Sequence, residues 1–162
     1  LLASGQAGPV DETQLEAALS KVCLNLTRQL AADGEGAETL VVVNVTSARD
    51  KQQARQVAKA IVNSPLVKTA IHGRDPNWGR VAMAIGKIND ADIDQNNVTI
   101  KFGNQEVYPN SATPEALNEL ETYLASDEVH ITADLDIADG SFTAYGCDLT
   151  AGYVRINADY TT

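Results

Sequence analysis

The chain has 162 residues, a formal net charge of -10 and a pI near 4.5. That length allows one full hydrophobic core or two smaller ones sharing an interface, so one or two domains stay open. The acidity speaks against nucleic acid and anionic membrane surfaces as partners, because both repel a negative chain, and no apolar run approaches the roughly 18 residues of a membrane span.

The sequence opens at Leu1 without Met, and LLASG reads as a strand already in progress, the mark of a piece cut from a longer protein. After the joint Gly5-Gln6-Ala7-Gly8-Pro9, Asp11 and Thr13 offer N-caps for a long amphipathic helix. Its apolar positions are Leu15, Ala18, Leu19, Val22, Cys23, Leu26 and Leu30. The helix stops at Asp33-Gly34-Glu35-Gly36, where two glycines permit positive φ. Leu40 to Thr46 is a β-branched run expected to be a buried strand. Ser47 is the expected cap of a helix from Ala48 to Val62, ended by Asn63-Ser64-Pro65.

Leu66 to His72 is apolar-rich and reads as a strand that breaks at Gly73. Arg74-Asp75-Pro76-Asn77 turns the chain, and a helix resumes with Val81, Ala84 and Ile85 at helical spacing. Trp78, the only Trp, sits in the joint and is expected to be buried. Asp90, Asp92, Asp94 and Asn96 crowd a polar loop, but the Gly and Glu of an EF-hand are missing from it. Val98–Phe102 and Gln105–Tyr108 flank Gly103-Asn104 as a hairpin, and Thr113-Pro114 opens a helix to about Ala125. Strands are expected over Glu128–Ile137, Gly140–Asp148 and Tyr153–Tyr160, with Asp139-Gly140 as a tight turn. The pattern is a layered α/β (α+β) protein with a mixed sheet. A change of style near Thr46 suggests one domain ending at residues 1–46 and a second over 47–162.

Cys23 and Cys147 lack CxxC spacing and read as buried small hydrophobes of a protein from a reducing compartment. Glu35, between glycines at a helix end, reads either as a solvated loop carboxylate or as a ligand contact. His72, at the end of the expected strand, where α/β sheets place ligand contacts, is either structural or functional. Arg80 reads as a partner of Asp75 that fixes the turn. No GxSxG, Walker, HExxH or Rossmann pattern occurs, so no self-sufficient catalytic set is visible.

Five blocks carry a further signal: LLASGQAG, DGEGA, SPLVKTA followed by G-x-DPNWGR, GCDLT, and the terminal YVRINADYTT. Together they resemble the C-terminal part of the β chain of the ornithine acetyltransferase or glutamate N-acetyltransferase family, the ArgJ family. The resemblance implies a fragment of an N-terminal-nucleophile-like fold of the DmpA/ArgJ type, whose precursor cleaves itself before a Thr. That Thr, expected upstream of Leu1, would take acetyl from N2-acetylornithine and pass it to glutamate in arginine biosynthesis; some members also accept acetyl-CoA. It further implies substrate binding by Glu35, Asn157 and Thr162, no catalytic residue, metal or cofactor in this chain, and a cytoplasmic enzyme. The implied partner is the α chain of the same precursor, in a heterotetramer or larger assembly. A non-catalytic fragment or binding domain, or a related N-terminal-nucleophile aminopeptidase, are the alternatives. Glu38-Thr39 stands where the family pattern has a basic residue, and Arg74 and Ala151-Gly152 are further departures.

Overall fold

A computed structural model describes residues 4–6 and 8–159. The expected strand at Leu1 and the candidate Thr162 therefore lie outside the described residues. The chain runs α1 (Glu12–Ala32), β1 (Leu40–Ala48), α2 (Lys51–Val62), α3 (Pro65–His72), α4 (Trp78–Gly86), β2 (Thr99–Phe102) and β3 (Gln105–Tyr108). It continues with α5 (Pro114–Tyr123), β4 (Glu128–Asp134), β5 (Gly140–Cys147) and α6 (Ala151–Ala158).

The five strands form one mixed sheet in the order β3-β2-β4-β1-β5, in agreement with the α/β expectation. β1 pairs in parallel with β4 and antiparallel with β5. Alternate residues of a strand face opposite sides, and here Val41, Val43 and Val45 join Val129, Ile131 and Ala133 in the core. Ala54, Val57, Ala58 and Ile61 of α2, with Val81, Ala84 and Ile85 of α4, pack in the same cluster. Each fully buried Val, Ile or Leu there contributes about 1.5–3 kcal/mol. The opposite parity of β1 carries Asn44, whose side-chain oxygen accepts from the Thr143 hydroxyl at 2.9 Å.

Three expected strand features are corrected. Leu66–His72 is helical, because Ser64 caps it by accepting from Val67 N–H, Pro65 fits the first turn, and Val67, Ala70 and Ile71 fall on one helical face. Tyr153 to Ala158 is helical too, since the Thr150 hydroxyl accepts from Tyr153 N–H and starts α6. Asp139-Gly140 does not close a hairpin: β4 and β5 are separated by β1, and the link crosses the end of that strand. Leu135 N–H donates to Thr46 C=O at 3.1 Å, and Ile137 and Ala138 N–H donate to Ser47 C=O at 2.7 and 3.1 Å. Ser47 is thus no helix cap. It has φ +54° inside β1, at the register shift between Val45 and Ala48, and Asp50 caps α2 instead.

Further corrections concern exposure. α1 forms with the expected Asp11 cap but has no buried residue among those described, and Leu15, Leu19, Val22, Leu26 and Leu30 are all exposed. Cys23 is exposed on the same helix and Cys147 is half-buried. Trp78 is 41% exposed and stacks on Tyr108, with ring centroids 4.8 Å apart. Among the described residues no helix is long and apolar enough to cross a membrane.

The crossing at Ser47 is stabilised by Asp134, whose carboxylate accepts from the Thr46 and Ser47 hydroxyls at 2.6 and 2.7 Å and from Asp136 N–H at 3.1 Å. Burial alone pushes this carboxyl up, but those hydrogen bonds and Lys101 hold it below its ordinary value. A depressed folded value means stability that is present above the unfolded carboxyl value of about 4 and is lost as pH falls through the folded one. Asp134→Asn is therefore expected to lower the denaturation midpoint of the complete protein at pH 7, and the gap to wild type should close as the pH falls through the folded value of this carboxyl. At Gly140 an added Cβ would come within 2.5–2.7 Å of the backbone of Asp50 and Ala48, whereas at Gly86 it would meet nothing within 4 Å. Gly140→Ala should cost about 1–3 kcal/mol in urea unfolding, and Gly86→Ala should be neutral or stabilising.

Candidate functional site

The site is built where the loop after α1 meets the segment after β5. Asp33 ends α1 as its C-cap. Gly36 then takes φ +67°, which favours glycine. Its α-carbon lies so near α6 that a Cβ would come within 2.6 Å of Tyr153 N and 2.8 Å of Gly152 C. Gly34 is packed just as closely, since a Cβ there would stand 2.7 Å from Cys147 Sγ. The two glycines flanking Glu35 thus let the loop lie directly on residues 147–153.

Hydrogen bonds complete the docking. Glu38 and Thr39 N–H both donate to Asp148 Oδ1, at 2.9 and 3.2 Å, and Asp148 N–H donates to Thr39 C=O at 3.1 Å. The Thr150 hydroxyl donates to Gly36 C=O at 2.6 Å while accepting from Tyr153 N–H at 3.1 Å. Asp148 and Thr150 are each 3% exposed. At the far end of this contact, Asn157 Nδ2 donates to Glu35 Oε2 at 2.9 Å and to Tyr153 C=O at 3.0 Å.

Of the residues singled out from the sequence, Glu35 and Asn157 are therefore brought together, both exposed on the surface, and Thr162 lies outside the described residues. His72, left open between a structural and a functional role, faces the buried rear of the loop. Its Nδ1 is 3.4 Å from Asp148 Oδ2 and 3.6 Å from Glu38 Oε2. These three side chains bring one ligand-type atom each within 4.8 Å of one another.

Arg80 does not pair with Asp75. Its Nη1 donates to Leu66 C=O at 2.9 Å and to the Thr69 hydroxyl at 3.2 Å, which ties α4 to α3, while Asp75 accepts from Asn77 Nδ2. Asn77 caps α4 by accepting from Arg80 N–H. DPNWGR is thus a helix-to-helix corner, away from the Glu35–Asn157 contact. The polar loop after α4 is also engaged: Asp90 accepts from Gln53 Nε2 at 2.9 Å and Asp92 pairs with Arg49.

Sequence reading missed Asp148 and Thr150 as structural determinants of the site. The available signal was a Thr preceding a new helix and an Asp next to a half-buried Cys, but capping and docking cannot be told apart without the partner segment. The dual role of the Thr150 hydroxyl has a measurable consequence. Thr150→Val keeps the shape but removes both hydrogen bonds, and is expected to cost the complete protein about 1–2 kcal/mol in urea unfolding and to speed amide exchange at Tyr153.

Comparison with known proteins bears on the family and the fold. The model of the family described as "ArgJ family" matches residues 1–162. The glutamate N-acetyltransferase Oat2 of Streptomyces clavuligerus is 56% identical over 100% of this chain and 43% of its own length. The arginine biosynthesis bifunctional protein ArgJ of Rhodococcoides fascians is 48% identical over 100% of this chain and 41% of its own length. The crystal structure of arginine biosynthesis bifunctional protein argJ from Bacillus halodurans superposes with a TM-score of 0.86 at 42% identity, over 98% of this chain and 74% of that one. The chain thus spans about two fifths of the length of the curated relatives it matches. With a family model over its whole length and a solved relative of the same architecture, the chain belongs to the ArgJ family.

Proposed function

We propose that this chain is the C-terminal part of a glutamate N-acetyltransferase that moves acetyl from N2-acetylornithine to L-glutamate. The observation that carries the reading is the 2.9 Å contact between Asn157 and Glu35, residues 122 positions apart in the chain. These are two of the three side chains that the family resemblance assigns to substrate. One carboxylate and one neutral amide on a shared surface suit an amino-acid substrate. Glu35 can pair with an ammonium of ornithine, while Asn157 fixes the carboxylate's direction. Thr162 is proposed as a third, hydroxyl contact.

In this reading the nucleophile is a Thr in the part of the relatives that this chain does not span. Its Oγ attacks the acetamide carbonyl of N2-acetylornithine, its own α-amine takes the hydroxyl proton, and ornithine leaves with that proton. The acetyl ester is then attacked by the amine of glutamate, which releases N-acetylglutamate and restores the hydroxyl. Acetyl-CoA as donor is the bifunctional version of the same exchange.

The remaining polypeptide is proposed to cover α1, where Leu15, Leu19, Val22 and Leu26 recur at helical spacing and are all exposed. Such a stripe is the normal seat of a packed partner. We assign it to the α chain of the same precursor, within a cytoplasmic heterotetramer or larger assembly.

Glu35→Gln in the complete enzyme is expected to weaken kcat/KM for N2-acetylornithine by about 2 kcal/mol or more, the scale of a lost charge-assisted contact. Steady-state assays with N2-acetylornithine and with acetyl-CoA test this together with the donor range, and an unchanged kcat/KM removes Glu35 from the site.

A further inference from the structure

Asp148 reaches both the loop carrying Glu35 and the last residue of α3. It is 3% exposed, and its two carboxylate oxygens have separate tasks. Oδ1 accepts from Glu38 N–H at 2.9 Å and Thr39 N–H at 3.2 Å, three and four residues beyond Glu35. Oδ2 is buried without a hydrogen-bond partner of good geometry, and the group nearest to it is His72 Nδ1, at 3.4 Å on the last residue of α3. A buried carboxylate is costly to keep, so hydrogen bonds from backbone N–H groups and a facing imidazole must offset its desolvation.

The same short segment that contains Asp148 also holds the candidate substrate side of the loop. Two residues on, Thr150 binds Gly36 C=O, and the helix it caps presents Asn157 to Glu35. The loop is thereby held at two points just beyond Glu35: Gly36 by the Thr150 hydroxyl, and Glu38 and Thr39 by Asp148. An exposed Glu beside two glycines would otherwise sample many orientations, each ordered rotamer costing free energy when substrate binds.

We propose that Asp148 is a positioning residue, which preorganises Glu35 toward the substrate by fixing the loop 34–39, with His72 bracing its second oxygen. This rests on the reading of Glu35 as a substrate contact. Asp148 itself touches no substrate. Its effect must therefore pass through Glu35, and it must appear in substrate binding more than in the chemical step.

The test is a double-mutant cycle in the complete enzyme, with rates normalised to the titrated fraction of active sites. Asp148→Ala is expected to raise KM for N2-acetylornithine about tenfold with a much smaller change in kcat. Asp148→Ser, which leaves a polar group at the buried position, takes its place if Asp148→Ala does not assemble. Asp148→Asn, which keeps an oxygen acceptor for Glu38 and Thr39 N–H, should restore KM to within about threefold. In a Glu35→Gln background the Asp148 substitution should add less than about twofold. Equal losses from Asp148→Ala or Asp148→Ser in both backgrounds, or an Asp148→Asn enzyme as impaired as the truncated one, would overturn the positioning role while leaving Glu35 in the site. A Glu35→Gln enzyme with unchanged kcat/KM would overturn the site reading itself, and the positioning role with it.

Discussion

The structure depends on the burial of β1 between neighbours that run in opposite senses. Leu40 to Val45 take a parallel ladder from β4 on one side and an antiparallel ladder from β5 on the other. Satisfying both edges of one apolar strand removes its backbone groups from water and lets Val41, Val43 and Val45 fill the core at almost zero exposure. The arrangement has two consequences. At the end of β1 the chain leaving β4 must cross over to reach β5, which accounts for Ser47 at positive φ and for the Asp134 carboxylate that gathers its hydroxyls. At the start of β1 the end of β5 is delivered beside the loop that precedes Leu40, since Leu40 pairs with Cys147. The candidate site therefore follows from sheet register: Asp148 stands next to Thr39 because Cys147 stands next to Leu40.

Much of this was legible in the sequence where local rules and tertiary packing agree. Asp11 before α1, the β-branched run of β1, the Gly103-Asn104 hairpin and Thr113-Pro114 before α5 all read correctly. Leu66–His72 did not, because seven apolar-rich residues fit a buried strand and a helix equally, and the Ser64 cap with Pro65 decides the matter. The last helix misled for a similar reason: Tyr153, Val154 and Ile156 favour a strand on propensity, yet all three remain exposed, so no sheet packing rewards that choice. Glu35 entered as a candidate from its place between two glycines and Asn157 only through resemblance to a family, and composition or spacing alone would not have joined two polar residues at opposite ends of the chain. Asp148 and Thr150 escaped notice because their partners are backbone groups of the 36–39 loop, and a sequence does not display which backbone groups are unpaired.

The exposed stripe on α1 bears on how that helix is held to the sheet. An isolated helix of this length draws most of its stability from tertiary packing. Here its described anchors are polar or mixed: Arg28 reaches Glu128 at 2.5 Å and lies over the Tyr145 ring at 5.6 Å. Glu128 is in turn bound by His130 at 2.8 Å, so this cluster fixes the C-terminal half of α1 to the start of β4. Since that half runs directly into the Glu35 loop, the helix end is set by a few specific contacts, and its apolar face remains available for packing by further polypeptide.

Glu38-Thr39, a departure from the pattern that the resemblance implies, lies at the back of the same loop. The pattern that the resemblance implies has a neutral Thr at 38 and the basic residue at 39. Glu38 instead adds a second negative group, with its Oε2 3.6 Å from His72 Nδ1, while that imidazole is also 3.4 Å from Asp148. The imidazole thus stands between the two carboxylates, on the last residue of α3. Glu38 is mostly exposed and water screens it, so the charge that must be balanced is chiefly that of Asp148. Its two backbone donors do not depend on the identity of the side chains at 38 and 39. The loop geometry around Glu35 is consequently insulated from this substitution, and the departure alters the local charge pattern without disturbing the backbone that presents the carboxylate.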